Sequence, residues 1–220
     1  MLRFLIKRNT LYYFVVLMFS RILLCQEMQY PPEWQELFSD SGWTLVKEKK
    51  QIKVFEKSIL VSSVPALRVE LITHLSAEAL LNVAWAVDKY SSTLPSAYTT
   101  KSGYGRILNK IQQQGWQIID IPFLAPRLYQ FNHLRTTARV DWIKSQFSIQ
   151  VDLPNNIVIP PVNFGSWEVV ESKEMNTLIY RVCTDPGGIV PSWIVKNASR
   201  KYIPDMLMEL EQAEKKLNMR

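Results

Sequence analysis

Cysteine and histidine are both scarce in this sequence. Its 220 residues contain two cysteines and two histidines, too few for a disulfide framework or for a zinc site of the usual kind. The HExxH and CxxC motifs, the P-loop and the nucleophile elbow are also absent. These absences argue against zinc proteases, nucleotide hydrolases and α/β-hydrolases, and we expect neither a metal nor a cofactor.

Positive charge is in excess, but only at the N-terminus. The net charge is +6, and four of the 26 Lys and Arg residues lie in residues 1–25, which contain no acidic residue. The remaining chain therefore has 22 basic against 20 acidic residues and no clustered basic stripe. Nucleic-acid binding requires concentrated positive charge, so no nucleic-acid partner is expected.

Residues 1–25 have the pattern of a secretory signal peptide, in which basic residues precede an apolar run from Leu11 to Phe19. The residues before Cys25 are not small, so the cleavage site is undefined. Arg21 interrupts the apolar stretch, which is shorter than the ~20 residues that a membrane span needs. We expect an exported protein, periplasmic or secreted, whose residues 26–220 form a single domain. An uncleaved N-terminal membrane anchor is the alternative.

Apolar and polar residues alternate with a period of two over much of the chain, which predicts many β-strands. A short helix is expected after Pro31 and Pro32, and Ser76 is a candidate cap for a second helix. Three predicted strands precede this second helix and six follow it. We expect them near residues 43–45, 52–54, 67–71, 98–107, 115–121, 128–135, 145–152, 166–171 and 177–184.

The last segment predicts a helix that begins near Ser192 and has a length of about 25 residues. Its first half has an apolar stripe that includes Ile194 and Ala198, and its second half has another that includes Leu207. In a straight helix the two stripes would point about 160° apart. Pro204 lies between them, and a kink there would let both stripes face one surface.

Two stretches of the sequence resemble the START family of StAR-related lipid-transfer domains. The run from Asp185 to Leu207 carries the family's pattern at Pro186, Gly187, Gly188, Pro191, Trp193, Asn197 and Pro204. The segment from Ile121 to Arg127 is similar to the family's proline-and-arginine turn before a central strand. The resemblance covers residues 34–217. The chain departs from the animal members at Leu128, where an acidic residue usually follows the arginine.

The resemblance implies an α+β helix-grip fold, in which a curved antiparallel sheet of about nine strands wraps around the long C-terminal helix. An apolar tunnel between them would hold one lipid, such as a phospholipid or a sterol, for transfer or for sensing. We therefore expect a monomeric, non-enzymatic lipid-binding protein that contacts membranes transiently. The alternative is a helix-grip enzyme, a hydrolase or cyclase, that acts on a bound hydrophobic small molecule.

Alternation within the predicted strands and spacing within the last helix select the residues that could line the tunnel. The same residue types also build ordinary cores, so a packing role is an open alternative for each. The candidates are Phe147, Ile149, Val151, Trp167, Val169, Leu178, Tyr180, Val182, Trp193, Met206, Leu207 and Leu210.

Three polar residues are candidate handles for a lipid headgroup. Arg68 and Glu70 share one strand face, which could instead be a solvated surface, and His133 alternates with aromatic neighbours.

The apolar stretch Ile157, Val158 and Ile159 is followed by two prolines, which disfavour a strand. We predict that it is an entrance loop that touches membrane together with residues 185–190. A loop packed on the sheet is the alternative.

Overall fold

A computed structural model of the protein describes residues 28–122 and 124–218. The prediction of a signal peptide or anchor in residues 1–25 lies outside these residues. No helix within them is both long and apolar enough to cross a membrane.

Nine antiparallel strands form one curved sheet, and its spatial order follows from the chain's path. The strands are β1 (Thr44–Lys49), β2 (Ile52–Lys57), β3 (Ala66–Thr73), β4 (Thr99–Ile107), β5 (Gln112–Ile119), β6 (Arg127–Arg135), β7 (Arg139–Lys144), β8 (Val162–Val170) and β9 (Asn176–Asp185). Their order across the sheet is β1-β2-β3-β9-β8-β7-β6-β5-β4. The chain thus builds three strands at one edge, crosses to the other edge, and returns until β9 pairs with β3. The predicted antiparallel helix-grip sheet is confirmed.

The three predicted helices are present, together with one short helix that was not predicted separately. They are α1 (Trp34–Phe38), α2 (Ala77–Trp85), α3 (Tyr90–Thr93) and α4 (Ser192–Asn218), with 3₁₀ turns at Val87–Lys89 and Pro95–Ala97. The Ser76 hydroxyl accepts a hydrogen bond of 3.3 Å from the Ala79 backbone N–H, which caps α2 as predicted. The segment from α2 to the second 3₁₀ turn makes the crossing between the two edges of the sheet.

Helix α4 is continuous through Pro204, and both of its apolar stripes face the sheet. Leu207 and Leu210 are fully buried in the inner core, whereas Ile194 and Ala198 border a cavity described below. The inner core also contains α2 residues and the apolar faces of β2, β3 and β9. Helix α4 therefore covers the sheet along both halves of its length.

The other face of the sheet is covered in part by α1. Trp34 and Leu37 of this helix pack against Phe164 and Cys183 in a second apolar cluster. Cys183 is a free, fully buried thiol, and burial raises its pKa to about 12. This cysteine is a packing residue rather than a nucleophile.

One predicted strand is wrong. The seventh strand is Arg139–Lys144 rather than 145–152, and no β-ladder forms over Phe147, Ile149 and Val151. These three side chains are nevertheless half-buried in alternation with exposed ones, and Phe147 packs against Gly105 of β4. The alternation therefore reflects an extended segment that has one side packed against other parts of the protein, including β4. A period of two indicates one-sided burial but does not require strand pairing.

Candidate functional site

A cavity of about 450 Å³ lies between the sheet, the first half of α4 and the residues around the second 3₁₀ turn. Its wall is mainly apolar and aromatic, and its volume lies within the roughly 300–1,000 Å³ of small-molecule sites. The sheet residues on its wall are Gln117, Ile119, Arg127, Tyr129, Phe131, His133, Trp142, Asn163, Trp167, Tyr180, Val182 and Thr184. Helix α4 contributes Ile194, Val195, Ala198, Ser199, Tyr202, Ile203 and Met206.

The cavity brings together some of the residues selected from the sequence. Trp167, Tyr180, Val182 and Met206 lie on its wall, and so does His133.

Other candidates share a strand or helix face with these wall residues but lie in the packed core next to the cavity. Val169, Leu178, Leu207 and Leu210 are buried there and do not line it. On β9, for example, Leu178 is covered completely while Tyr180 and Val182 reach the empty space. Alternation identifies the face of a strand, but the position of the covering helices decides which part of that face remains open.

The remaining lining candidates lie away from the cavity. Phe147, Ile149 and Val151 belong to the extended segment outside the β-ladder and do not line the cavity. Trp193 is 65% exposed, because it lies on the outward side of α4.

Arg68 and Glu70 also lie away from the cavity and form an ion pair with each other at 2.9 Å. The Arg68 guanidinium stacks over the rings of Phe55 and Trp43, at 4.5 and 5.5 Å from the ring centroids. The pair therefore belongs to the partly solvated face of β3, which was the alternative reading of these residues.

His133 is a neutral residue at the end of the cavity wall on β6. It is 3% exposed and stacks between Phe131 and Trp85, with ring-centroid distances of 4.6 and 5.7 Å. Gln113 of the neighbouring strand places its amide nitrogen 3.5 Å from Nδ1. Burial lowers the pKa of His133 from 6.5 to about 3. At neutral pH the ring is therefore an uncharged hydrogen-bonding group in an aromatic setting.

Arg127 begins β6 at the other end of the same strand face. It is 3% exposed and donates hydrogen bonds to the carbonyl oxygens of Ala125, Pro186 and Gly187. Its backbone also forms an isolated bridge with Val158. Arg127 thus connects β6 with the loop before α4 and with the loop before β8.

Two loops border the cavity through Ile121, Pro122 and Leu124 and through Pro186 and Val190, and this border is called its mouth below. Pro186 and Val190 line the cavity, while Ile189 between them is fully exposed. The side chain of Val158 packs next to Gly187, so the two predicted entrance segments do lie side by side. Within the predicted entrance stretch, Ile159 is 49% exposed, whereas Ile157 and Val158 are partly buried.

A hydrogen-bonded loop borders the mouth on its other side. The Ser63 hydroxyl donates to Asp185 at 2.9 Å, and the Gly187 backbone N–H donates to the same carboxylate at 2.9 Å. Although partial burial would raise the pKa of Asp185, these hydrogen bonds hold it below its usual value. The β2–β3 loop, with its fully exposed Leu60, is thereby held beside the mouth.

Several wall residues were not selected from the sequence. Tyr129 and Phe131 alternate with His133 on β6, so the period of two that flagged the histidine would also have found them. Trp142 was missed because its strand was placed several residues too late. Ile119 and Ala198 carry no sequence signal that separates a cavity wall from a core.

Comparison with solved structures identifies the architecture. The chain is similar to a STAR-related lipid transfer protein from Xanthomonas axonopodis, with a TM-score of 0.69 and 19% identity over 80% of this chain and 99% of that one. Human STARD10 has a TM-score of 0.70 and 15% identity over 88% of this chain and 84% of its own. Human StAR-related lipid transfer protein 5 has a TM-score of 0.65 and 13% identity, with 84% and 91% coverage.

No protein-family model and no curated protein matches the chain. Different side chains can satisfy the same pattern of buried faces, so a fold is retained at identities this low. The nine-strand order, the C-terminal helix and the cavity between them occur together over most of the chain. The described part of this protein therefore has the helix-grip fold of the StAR-related lipid-transfer domains.

Proposed function

We propose that this protein binds a single hydrophobic lipid in the cavity beneath α4 and carries it between membranes. The observation that supports the proposal is the cavity of about 450 Å³ with its mainly apolar and aromatic wall. Each buried methylene contributes roughly 0.8 kcal/mol, so a chain of about ten would contribute roughly 8 kcal/mol before the entropic cost of binding. An acyl chain is thus a physically suitable occupant.

The cavity favours a carrier over an enzyme. The one histidine on its wall has a pKa of about 3, far below the range near neutrality in which a general base is effective. No cluster of three or more His, Cys, Asp or Glu residues that could hold a metal ion occurs in the described ranges. We propose that the ligand leaves chemically unchanged.

The direct test is native mass spectrometry of the protein purified from the cells that produce it. We expect one lipid molecule per chain, released intact by solvent extraction. A protein that carries no lipid and takes up none from mixed vesicles would contradict the proposal. A ligand recovered in altered form after incubation would favour the enzymatic alternative instead.

We further propose that exposed apolar residues around the mouth contact the membrane during lipid exchange. Ile189 is fully exposed, Trp193 is 65% exposed, and Leu60 is fully exposed on the adjoining loop. Tryptophan is favoured at the membrane interface, and exposed apolar side chains gathered at one site mark interaction surfaces. None of the three lines the cavity, but Ile189 lies between the wall residues Pro186 and Val190, Trp193 lies in the first turn of α4, and Leu60 lies on the loop that Ser63 joins to Asp185.

Replacing Ile189 and Trp193 together with serine should slow lipid pickup from vesicles by about tenfold, because each lost apolar contact weakens membrane binding. Stopped-flow transfer of a fluorescent lipid measures the rate. Ile107 and Leu108 provide the control, since they are 64% and 45% exposed on the β4–β5 hairpin at the opposite end of the sheet. Their replacement by serine should leave the rate unchanged. Equal rates in both double variants would exclude the mouth as the membrane contact.

A further inference from the structure

Arg127 is a buried cation without an acidic partner. Its exposure is 3%, yet within residues 28–122 and 124–218 no carboxylate oxygen lies within 4.0 Å of its guanidinium. Other partly buried arginines of the sheet behave differently, because Arg139 pairs with Asp141 and Arg181 pairs with Glu168. A buried charge without a counter-ion is costly, so a ligand that supplies one would be stabilised by it.

The guanidinium also has spare hydrogen-bond donors. Arginine has five N–H groups, and three of them donate to the backbone carbonyls of Ala125, Pro186 and Gly187. One N–H on each terminal nitrogen is left without an acceptor among the described protein atoms. Two adjacent N–H groups of this kind match the two oxygens of a carboxylate or phosphate.

The charge of the cavity wall points the same way. Among the described residues on the wall, none is Asp, Glu or Lys, and the buried His133 is neutral. Arg127 therefore gives the wall a net charge of +1. The Asp185 carboxylate next to the mouth accepts hydrogen bonds from Ser63 and Gly187 and does not pair with Arg127. A neutral lipid would add no counter-ion at the wall, whereas a lipid with one negative charge would pair with Arg127.

We propose that the ligand is an anionic lipid whose carboxylate or phosphate binds Arg127 at the mouth while its chain extends along β6 towards His133. This inference rests on the proposed lipid-binding function and adds the charge class of the ligand. The six steps along the strand from Arg127 to His133 span roughly 20 Å at about 3.4 Å per residue. An extended acyl chain can lie along this length, with its headgroup beside the two free N–H groups of Arg127.

The test compares two ligands with the same chain, oleate and oleyl alcohol, on the delipidated full chain. We expect the wild-type protein to bind oleate at least about tenfold more tightly, because a charge-assisted hydrogen bond is lost with the alcohol. Arg127→Gln should remove the preference, so that the affinities for oleate and oleyl alcohol become equal within error. Arg127→Lys should retain part of the preference, since it keeps the charge without the fork of donors.

The outcomes separate this inference from the function on which it rests. Equal affinity of the wild-type protein for the two ligands overturns the role of Arg127 but leaves lipid binding intact, whereas binding of neither ligand overturns both. If Arg127→Gln does not fold, the comparison of oleate with oleyl alcohol on the wild-type protein tests the proposal by itself. Displacement of oleate by millimolar inorganic phosphate would show a site for free anions and would also overturn the proposal.

Discussion

Replacing Ala198 with tryptophan is expected to reduce lipid binding by at least tenfold without unfolding the protein. Ala198 lies on α4 with its side chain on the cavity wall, so an indole at this position must occupy the space proposed for the lipid. Filling an empty apolar space restores dispersion contacts that the wall otherwise lacks. The melting temperature of the lipid-free protein should therefore stay the same or rise, while co-purified lipid disappears from the native mass spectrum.

The matched control is tryptophan at Asn197, the preceding position of α4. Asn197 is exposed, so its replacement adds the same side chain to the same helix without entering the cavity. Lipid content and affinity should remain at wild-type values. Retention of a full complement of lipid by Ala198→Trp would mean that the ligand binds elsewhere, and the carrier proposal would fail.

Acid should destabilise the folded protein through His133 before most carboxylates titrate. The folded-state pKa of this histidine is about 3 against 6.5 when it is solvated, so the unfolded state binds the proton more readily between these values. Its contribution to the free energy of unfolding is fully present above pH 6.5 and is lost as the pH falls towards 3. Between pH 7 and pH 5 the loss should be about 2 kcal/mol.

Urea unfolding at a series of pH values measures this slope. His133→Phe keeps an aromatic ring between Phe131 and Trp85 but cannot titrate, so its stability should be nearly constant from pH 7 to pH 5. His74→Gln is the control. Because His74 is exposed, the free energy of unfolding of this variant should vary with pH as that of the wild-type protein does. Parallel curves for the wild-type protein and His133→Phe would show that another group causes the acid sensitivity.

Much of the architecture could be predicted from local spacing. Three features depend only on near neighbours in the chain. They are the cap at Ser76, the period of two in β3 and β9, and the two apolar stripes of α4 on either side of Pro204. The helix-grip fold itself was implied by the resemblance of residues 121–127 and 185–207 to the START family. The reasoning from local spacing erred at residues 145–152, since Phe147 alternates in burial by packing on β4 and not by pairing in the sheet.

The candidate site was less predictable for a related reason. Leu178 and Tyr180 lie on one face of one strand, yet only Tyr180 borders the cavity, and no property of the strand separates them. Their difference depends on where α2 and α4 lie over the sheet. Arg127 was visible in the sequence as part of a turn, but only the assembled segments show that it has no acidic partner among the residues that the structure describes.

Sequence by itself determined which face of each strand and helix is apolar, because amphipathic periodicity is a local property of the chain. The packing of the long helix against a curved antiparallel sheet was implied by the resemblance to the START family. Only the tertiary structure decided where the core stops and the cavity begins, and that a single unpaired guanidinium lies at its mouth. Empty space and unpaired charge arise from the mutual placement of segments distant in sequence, which no local pattern encodes.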